Sequence, residues 1–186
     1  WWPFRIANKI HFETRDYVIR REILLDPGCY WNPLKAIESE RNLRATGSFR
    51  KMELKPNVRL DGKVDVHVLA QDGWTTVPLF GIGTQGQEAF LIYGFEESNL
   101  LGTGKMVSAF HSQIGPRLRN DIRYTDQRLA GSHYRLSSLY ATTSKGDLIG
   151  ADIARPFYSL ATPYAVGSSW TRFIQESDTY LNGHKY

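Results

Sequence analysis

The chain has 186 residues, of which 41% are hydrophobic and 23% are charged, and its formal net charge is +4. This balance excludes an intrinsically disordered chain. Because no uncharged apolar run reaches about 18 residues, a transmembrane helix is also excluded. The 13% of aromatic residues is typical of β-rich proteins and of the interfacial girdles of membrane β-barrels. Nucleic-acid binding is not expected, since the basic residues are not interleaved with aromatic ones. Cys29, the only cysteine, cannot form an internal disulfide bond.

Two helices are predicted near the start of the chain. Residues 5–14 alternate in hydrophobicity and favour a strand, whereas residues 16–25 have a helical apolar face with Asp16 as the expected N-cap. Asn32 and Pro33 predict the start of a second helix, which ends near Gly47. We expect the buried face of this helix to be apolar and to contain Leu34, Ala36, Ile37 and Leu43. Its solvated face is expected to be charged and to contain Glu38, Glu40, Arg41 and Arg44.

A hairpin follows, and after it the helical period is lost. Residues 49–60 and 64–70 are predicted strands joined by a turn at Asp61 and Gly62, which gives the order β-α-α-β-β. Beyond Asp72 the chain is a series of strand-like segments with Gly, Ser and Asn in the turns: residues 75–83, 88–97, 105–114, 121–127, 132–143, 147–155 and 165–177. Such a series predicts an antiparallel meander. Alternating apolar and polar faces fit either the wall of a membrane barrel or half of a soluble sandwich.

The first part of the chain resembles a polypeptide-transport-associated (POTRA) domain. The resemblance is carried by VIRREILLDPG from Val18, by AIESERNLRATGSFRKMEL from Ala36 and by VDVHVLAQD from Val64. In that family the second helix ends in a Leu-x-x-x-Gly-x-Phe step, matched here by Leu43, Gly47 and Phe49. The resemblance therefore implies an α+β POTRA domain in residues 1–72, on the periplasmic side of a bacterial outer membrane.

The remainder is similar to the first strands of the barrel in the BamA/TamA-type outer-membrane surface-antigen superfamily. The matching segments are DGWTTVPLF at residues 72–80, GFEESNLLGTGKMVS at residues 94–108 and ARPFYSLATPYAVG at residues 154–167. Barrels of that superfamily have about sixteen strands, whereas the residues after Trp74 supply only about seven. We therefore expect residues 73–186 to form an antiparallel but incomplete barrel, in a chain that is a fragment of a longer protein. The inward-folded loop motif of the family, of Arg-Gly-Phe type, is absent.

The resemblance implies a factor for outer-membrane protein assembly, insertion or translocation. Its expected partners are unfolded or nascent outer-membrane proteins, outer-membrane lipid and periplasmic accessory proteins. Two alternatives remain open at this point. One is a secretion pore, or a barrel that anchors an enzyme lying before Trp1. The other is a soluble two-domain β protein that binds a ligand.

No catalytic or metal-binding pattern is recognised, so neither an enzyme nor a cofactor is predicted. The sequence has no Gly-x-Ser-x-Gly motif and no His-x-x-x-His spacing, and its five histidines are expected on strand surfaces or in the lumen of the barrel. Gly102-Thr103-Gly104 lacks the Lys-Ser/Thr of a phosphate loop and is expected to be a turn. Glu96 and Glu97 are adjacent in a predicted strand and should point to opposite faces, which argues against an acid/base pair.

Two strand edges are the candidate functional sites, because an unpaired edge offers free N–H and C=O groups to an extended partner. The first, a candidate for client binding, comprises Phe49, Arg50, Lys51, Met52, Glu53, Leu54 and Lys55. Pro56 should limit the length of this pairing, and a solvated or covered edge is the alternative. The second is implied by the resemblance to be one side of a lateral seam, the junction between the first and last barrel strands: Thr76, Val77, Pro78, Leu79, Phe80, Gly81 and Gly83. Its glycines favour weak pairing or mark curvature.

Overall fold

The computed structural model describes residues 12–176 and the backbone of residues 180–181 and 184–185. Its first part is an α/β unit of two helices and a hairpin: α1 (Asp16–Glu22), α2 (Pro33–Ala45), β1 (Phe49–Val58) and β2 (Val64–Asp72). Most of the strand predicted at residues 5–14 lies outside the described residues, and residues 12–14 are not in a strand. None of the helices in the described part is long and apolar enough to cross a membrane.

Helix α1 is shorter than predicted and begins differently. Arg15, with an extended backbone, is the N-cap, so the prediction of Asp16 is wrong. Asp16 lies instead in the first turn, where a negative charge interacts favourably with the helix dipole. The helix ends at Glu22 rather than at residue 25, because Ile23 is extended and the Leu24 N–H donates to the Ser39 hydroxyl at 2.8 Å.

Helix α2 has the predicted N-cap but not the predicted buried face. The Asn32 side chain accepts hydrogen bonds from Leu34 N and Lys35 N at 3.0 and 3.2 Å. Leu34 and Ile37 are 65% and 63% exposed, so their assignment to the core is wrong. Glu38, expected in solvent, is only 8% exposed. The buried stripe runs through Ala36 and Leu43 and packs on Met52 and Leu54 of β1.

Residues 76–175 form one seven-stranded antiparallel sheet in which every strand pairs with its neighbours in the chain. The meander prediction is therefore confirmed. The strands are β3 (Thr76–Gln85), β4 (Glu88–Glu97), β5 (Lys105–Ile114), β6 (Arg117–Asp126), β7 (Arg135–Thr143), β8 (Gly146–Arg155) and β9 (Val166–Gln175). A separate pair, β10 (Tyr180–Leu181) and β11 (His184–Lys185), lies beyond the sheet in sequence.

Two strands begin three or more residues away from their predicted starts because of the turns, whereas the other strand boundaries differ by at most two residues. Strand β6 starts at Arg117, immediately after the tight turn at Gly115 and Pro116, so the ladder with β5 runs to the end of both strands. Strand β7 starts three residues later than predicted, since a 3-10 helix at Leu129–Gly131 precedes it.

Candidate functional site

The seven-stranded sheet has two different faces. Its concave face borders a space of about 590 Å³ and carries six charged side chains: Glu96, Arg119, Asp121, Arg123, Arg135 and Asp152. The opposite face exposes large apolar side chains on β4 and on β6 to β9, including Tyr93, Ile122, Tyr140, Ile149 and Trp170. An apolar outer face around a polar inner one is the pattern of a membrane barrel wall.

Aromatic rings cover glycines on the concave face. A Cβ at Gly83 would lie 2.8 Å from Phe90 Cε1, and one at Gly94 would overlap Ala109 O and the Phe110 ring. Gly83 pairs with Phe90 across β3 and β4, and Gly94 pairs with Phe110 across β4 and β5. These glycines therefore allow close contact with a cross-strand ring.

Among the described residues, strand β3 is one edge of the sheet, and all seven predicted residues of the lateral seam lie on it. On its other side it pairs with β4 from Thr76 to Gln85 without a bulge. The Ser98 N–H donates to Thr75 O at 3.1 Å. In an antiparallel ladder the backbone groups of alternate residues point to the same side, so the odd-numbered residues of β3 bond to β4 and the even-numbered ones face the open edge. The glycines thus do not interrupt this ladder, and the weak pairing expected with a last strand stays a prediction.

The open edge of β3 is modified at one end. Pro78 is one of the even-numbered residues that face outward. Its missing N–H therefore removes one donor from the open edge, and no hydrogen bond between β3 and β4 is lost. Trp74 Nε1 donates to Thr76 O. Beyond Pro78 the outward groups belong to Phe80 and Ile82, whose side chains are 70% and 73% exposed. The part of this edge open to a partner therefore starts at Pro78 O.

Strand β1, which holds the seven residues predicted to bind clients, pairs with β2 on one side. Arg59 N donates to Lys63 O at 2.8 Å in the same register, so from Lys51 onward odd-numbered residues of β1 bond to β2 and even-numbered ones face away. A bulge between Phe49 and Lys51 interrupts this alternation at the start of the strand. Pro56 is among the latter, which places its missing donor on the open edge. Two groups of this edge are already bonded: Leu54 N–H donates to Glu40 Oε1 at 2.7 Å, and Met52 O accepts from Arg44 Nη2 at 3.1 Å.

A buried polar network joins the α/β unit to the sheet at the predicted domain boundary. The Thr14 hydroxyl donates to Asp72 Oδ1 and accepts from Asn99 Nδ2, the latter at 2.8 Å. Asn99 is 2% exposed, and its Oδ1 also accepts from Gly104 N at 2.7 Å. The end of β2 and the turn between β4 and β5 are therefore held by one set of hydrogen bonds.

Helix α1 lies across two turns of the sheet. At its start, Arg15 N donates to Gly102 O at 2.9 Å. At its end, Glu22 accepts from both Arg128 Nε, at 2.6 Å, and Arg128 Nη2. The two side chains are only 6% and 12% exposed, so this ion pair is largely removed from water. The sequence did not predict this ion pair, because no local pattern links residues separated by 106 positions.

His133 extends this contact toward the turn between β8 and β9. Its ring stacks on Tyr158 with centroids 3.5 Å apart, and its Nδ1 lies 2.9 Å from Arg128 Nη1. Burial lowers the pKa of His133, and the charges of Arg128 and Arg155 lower it further, against an opposing effect of Glu22. The prediction that His133 belongs to a strand is wrong, since it lies in the turn before β7.

Helix α2 contacts the same turn. Glu38 Oε1 accepts from Leu160 N at 2.7 Å, and Asn42 Nδ2 donates to Tyr158 O at 3.0 Å. The contact with Leu160 explains why Glu38 is buried rather than solvated.

The remaining candidate side chains do not form a chemical site. Glu96 faces the concave space, whereas Glu97 bonds to the Thr76 hydroxyl and Asn99 N, so their opposite orientation is confirmed. Within the described part of the chain, no group of three or more His, Cys, Asp or Glu side chains could hold a metal ion. Gly102 and Gly104 lie in the turn that contacts α1, as expected of a turn rather than of a phosphate loop.

Comparison with known proteins supports the fold of the sheet. The chain is similar to the crystal structure of BamA from Haemophilus ducreyi lacking POTRA domains 1-3, with a TM-score of 0.63 and 20% sequence identity. The similarity covers 76% of this chain and 30% of that chain, so this chain spans under a third of the length of that structure. No protein-family model and no curated protein matched the sequence. The chain therefore has a BamA-like fold, in which the described strands form an unclosed antiparallel sheet that resembles part of a barrel.

Proposed function

We propose that the chain belongs to a non-enzymatic factor that assembles or inserts outer-membrane proteins. In this proposal residues 1–72 are a periplasmic POTRA domain and residues 73–186 are the first strands of an outer-membrane barrel. Client strands add to the open edge of β1 and pass to the open edge of β3. The partners are nascent outer-membrane proteins, outer-membrane lipid and periplasmic accessory proteins.

The observation that carries the proposal is the open edge of β3 in a sheet with a BamA-like fold. A strand in the middle of a sheet has no free backbone groups, whereas this one has no second partner strand among the described residues. Its edge offers an acceptor at Pro78 and both a donor and an acceptor at Phe80 and Ile82. Val77, Leu79, Phe80 and Ile82 add exposed apolar surface on both faces of the strand. An amphipathic client strand would find backbone pairing and apolar contact along the same edge.

Site-specific cross-linking in the full-length protein tests the proposal. A cysteine replaces Ile82 in a Cys29→Ser background, and the client is a model eight-stranded outer-membrane barrel with one cysteine in its last strand. We expect a disulfide-linked adduct that forms during insertion and is lost when insertion is complete. The matched control is a cysteine at Ile122, which is 55% exposed but lies in β6, paired on both sides. Equal adducts from the two positions, or none from Ile82, would contradict the proposal.

Deletion of residues 1–72 tests the role of the α/β unit separately. If β1 delivers clients to β3, the deletion slows insertion of the model barrel and reduces the adduct at Ile82 together with it. Insertion at an unchanged rate would reject the delivery step, whatever the result at Ile82.

A further inference from the structure

We infer that Glu40 and Arg44 of α2 form a gate on the strand-addition edge of β1, which an extended polypeptide must displace before it can pair there. The inference rests on the proposed use of β1 as a client-binding edge and specifies how access to that edge is controlled.

The two side chains bond to backbone groups that an added strand would use. Leu54 N and Met52 O both face away from β2, and they are occupied by Glu40 Oε1 at 2.7 Å and by Arg44 Nη2 at 3.1 Å. Glu40 supplies an acceptor and Arg44 supplies a donor at two successive outward positions of β1, and a paired strand would supply the same kinds of group there. A partner strand therefore cannot form these two bonds while the side chains remain in place.

The geometry follows from the repeat lengths of the two elements. Residues four apart on a helix are separated by roughly 6 Å along its axis, and outward groups two residues apart on a strand by roughly 6.6 Å. Because the two repeats match, a pair at i and i+4 on α2 can reach successive outward groups of β1. Arg44 Nη2 also bonds to Glu40 Oε2 at 2.6 Å, which holds both side chains in this arrangement.

The position of the pair makes it removable. Its charged groups lie at the rim of the unit, with 19% of the Glu40 side chain and 57% of the Arg44 side chain exposed. The core beneath consists of Leu43, Met52 and Leu54, which are buried and do not depend on either charge. Rotation of both side chains into water would free the edge without opening the core.

The partner that fits is an extended segment with a free N–H and C=O at adjacent pairing positions. A helical or folded segment would not replace the two bonds, because its backbone groups are already used. Pro56 limits the pairing on one side, since it offers no donor to the open edge. The site is thus a short stretch centred on Met52 and Leu54.

Binding of a synthetic peptide to the full-length protein tests the gate. The probe is a ten-residue peptide of alternating Val and Thr with a fluorophore at its N-terminus, measured by anisotropy. A Lys55→Cys substitution in the Cys29→Ser background reports its position by disulfide formation with a terminal cysteine of the peptide. We expect E40A/R44A to bind about tenfold more tightly than the parent, because binding no longer breaks the existing bonds.

A charge-swapped variant separates gating from simple helix stability. E40R/R44E keeps opposite charges four residues apart, but arginine cannot accept from Leu54 N and glutamate cannot donate to Met52 O. We expect it to bind the peptide as E40A/R44A does. Arg41→Ala, which removes a 57% exposed arginine side chain from the same helix, should bind as the parent does.

Hydrogen exchange at the Leu54 amide shows whether the gate has opened. This amide should exchange slowly in the parent and faster in both double variants, while the amide of Leu43 in the buried part of α2 should stay protected and report an intact unit. A freely exchanging Leu54 amide with unchanged peptide affinity would overturn the inference. The same result would not contradict the proposed function, provided that the disulfide-linked adduct at Ile82 still forms.

Discussion

Replacing Arg128 by methionine should loosen α1 from the sheet. The substitution leaves the Glu22 carboxylate, whose side chain is 6% exposed, without its main partner. Removing one member of a buried ion pair costs about 3–5 kcal/mol. The remaining bond from Arg15 N to Gly102 O should keep the helix attached, so the loss lowers the free energy of local opening rather than unfolding the sheet.

Hydrogen exchange at the Arg15 amide measures this change. Because each 1.4 kcal/mol is a factor of ten, exchange should accelerate by roughly a hundredfold or more in R128M. Replacing both partners, in E22L/R128M, should restore most of the protection, since a well-packed apolar pair can substitute for a buried ion pair. The control is R135M, which removes a partly exposed pair with Asp152 in the sheet. An unchanged exchange rate of the Arg15 amide in R128M would refute this explanation. So would additive effects of E22L and R128M on that rate, with no recovery of protection in E22L/R128M.

Three further predictions concern the sheet and its turns. Gly94→Ala should lower the free energy of unfolding by about 1–3 kcal/mol, because the added methyl group overlaps Ala109 O. Gly150→Ala, whose methyl group meets only ordinary van der Waals contacts, should have little effect, and thermal melts of the full-length protein in detergent compare the two variants. Because the pKa of His133 is lowered in the folded state, the contact of α1 with the turns should be fully stable above the ordinary histidine pKa and should weaken as pH falls through that range. His133→Phe should abolish this pH dependence of Arg15 amide exchange, and a variant with the parent's pH profile would contradict the prediction. Pro78→Val restores an N–H to the open edge of β3 and should increase the adduct from Ile82, while an unchanged yield would place this position outside the pairing.

Local patterns in the sequence predicted most of the elements. Strands β4 and β5 have the predicted limits because an alternating run is bounded at each end by turn residues. The N-cap at Asn32 was predictable for the same reason, since the cap and the following proline are adjacent in sequence.

The errors in burial have a common cause, which is tertiary contact. Leu34 and Ile37 have the right spacing for a buried helix face, but the sheet of the unit covers the neighbouring stripe instead. Glu38 is buried because a turn that lies 122 residues further along the chain donates to it. The state of the β1 edge was equally hidden, since the sequence predicts the strand and the helix but not that Glu40 and Arg44 reach across to it.

The contact of α1 with two turns has a mechanical consequence. The helix spans from the β4–β5 turn to the β6–β7 turn, and α2 reaches the β8–β9 turn, so one small unit braces the same end of several hairpins. Strain applied to the wall should therefore be shared among these strands near the unit and concentrate at the opposite end of β3. There the edge is free of side-chain caps among the described residues, and Gly81 and Gly83 offer little resistance to bending. The wall should be stiffest at its base and most compliant at the far corner of its first strand.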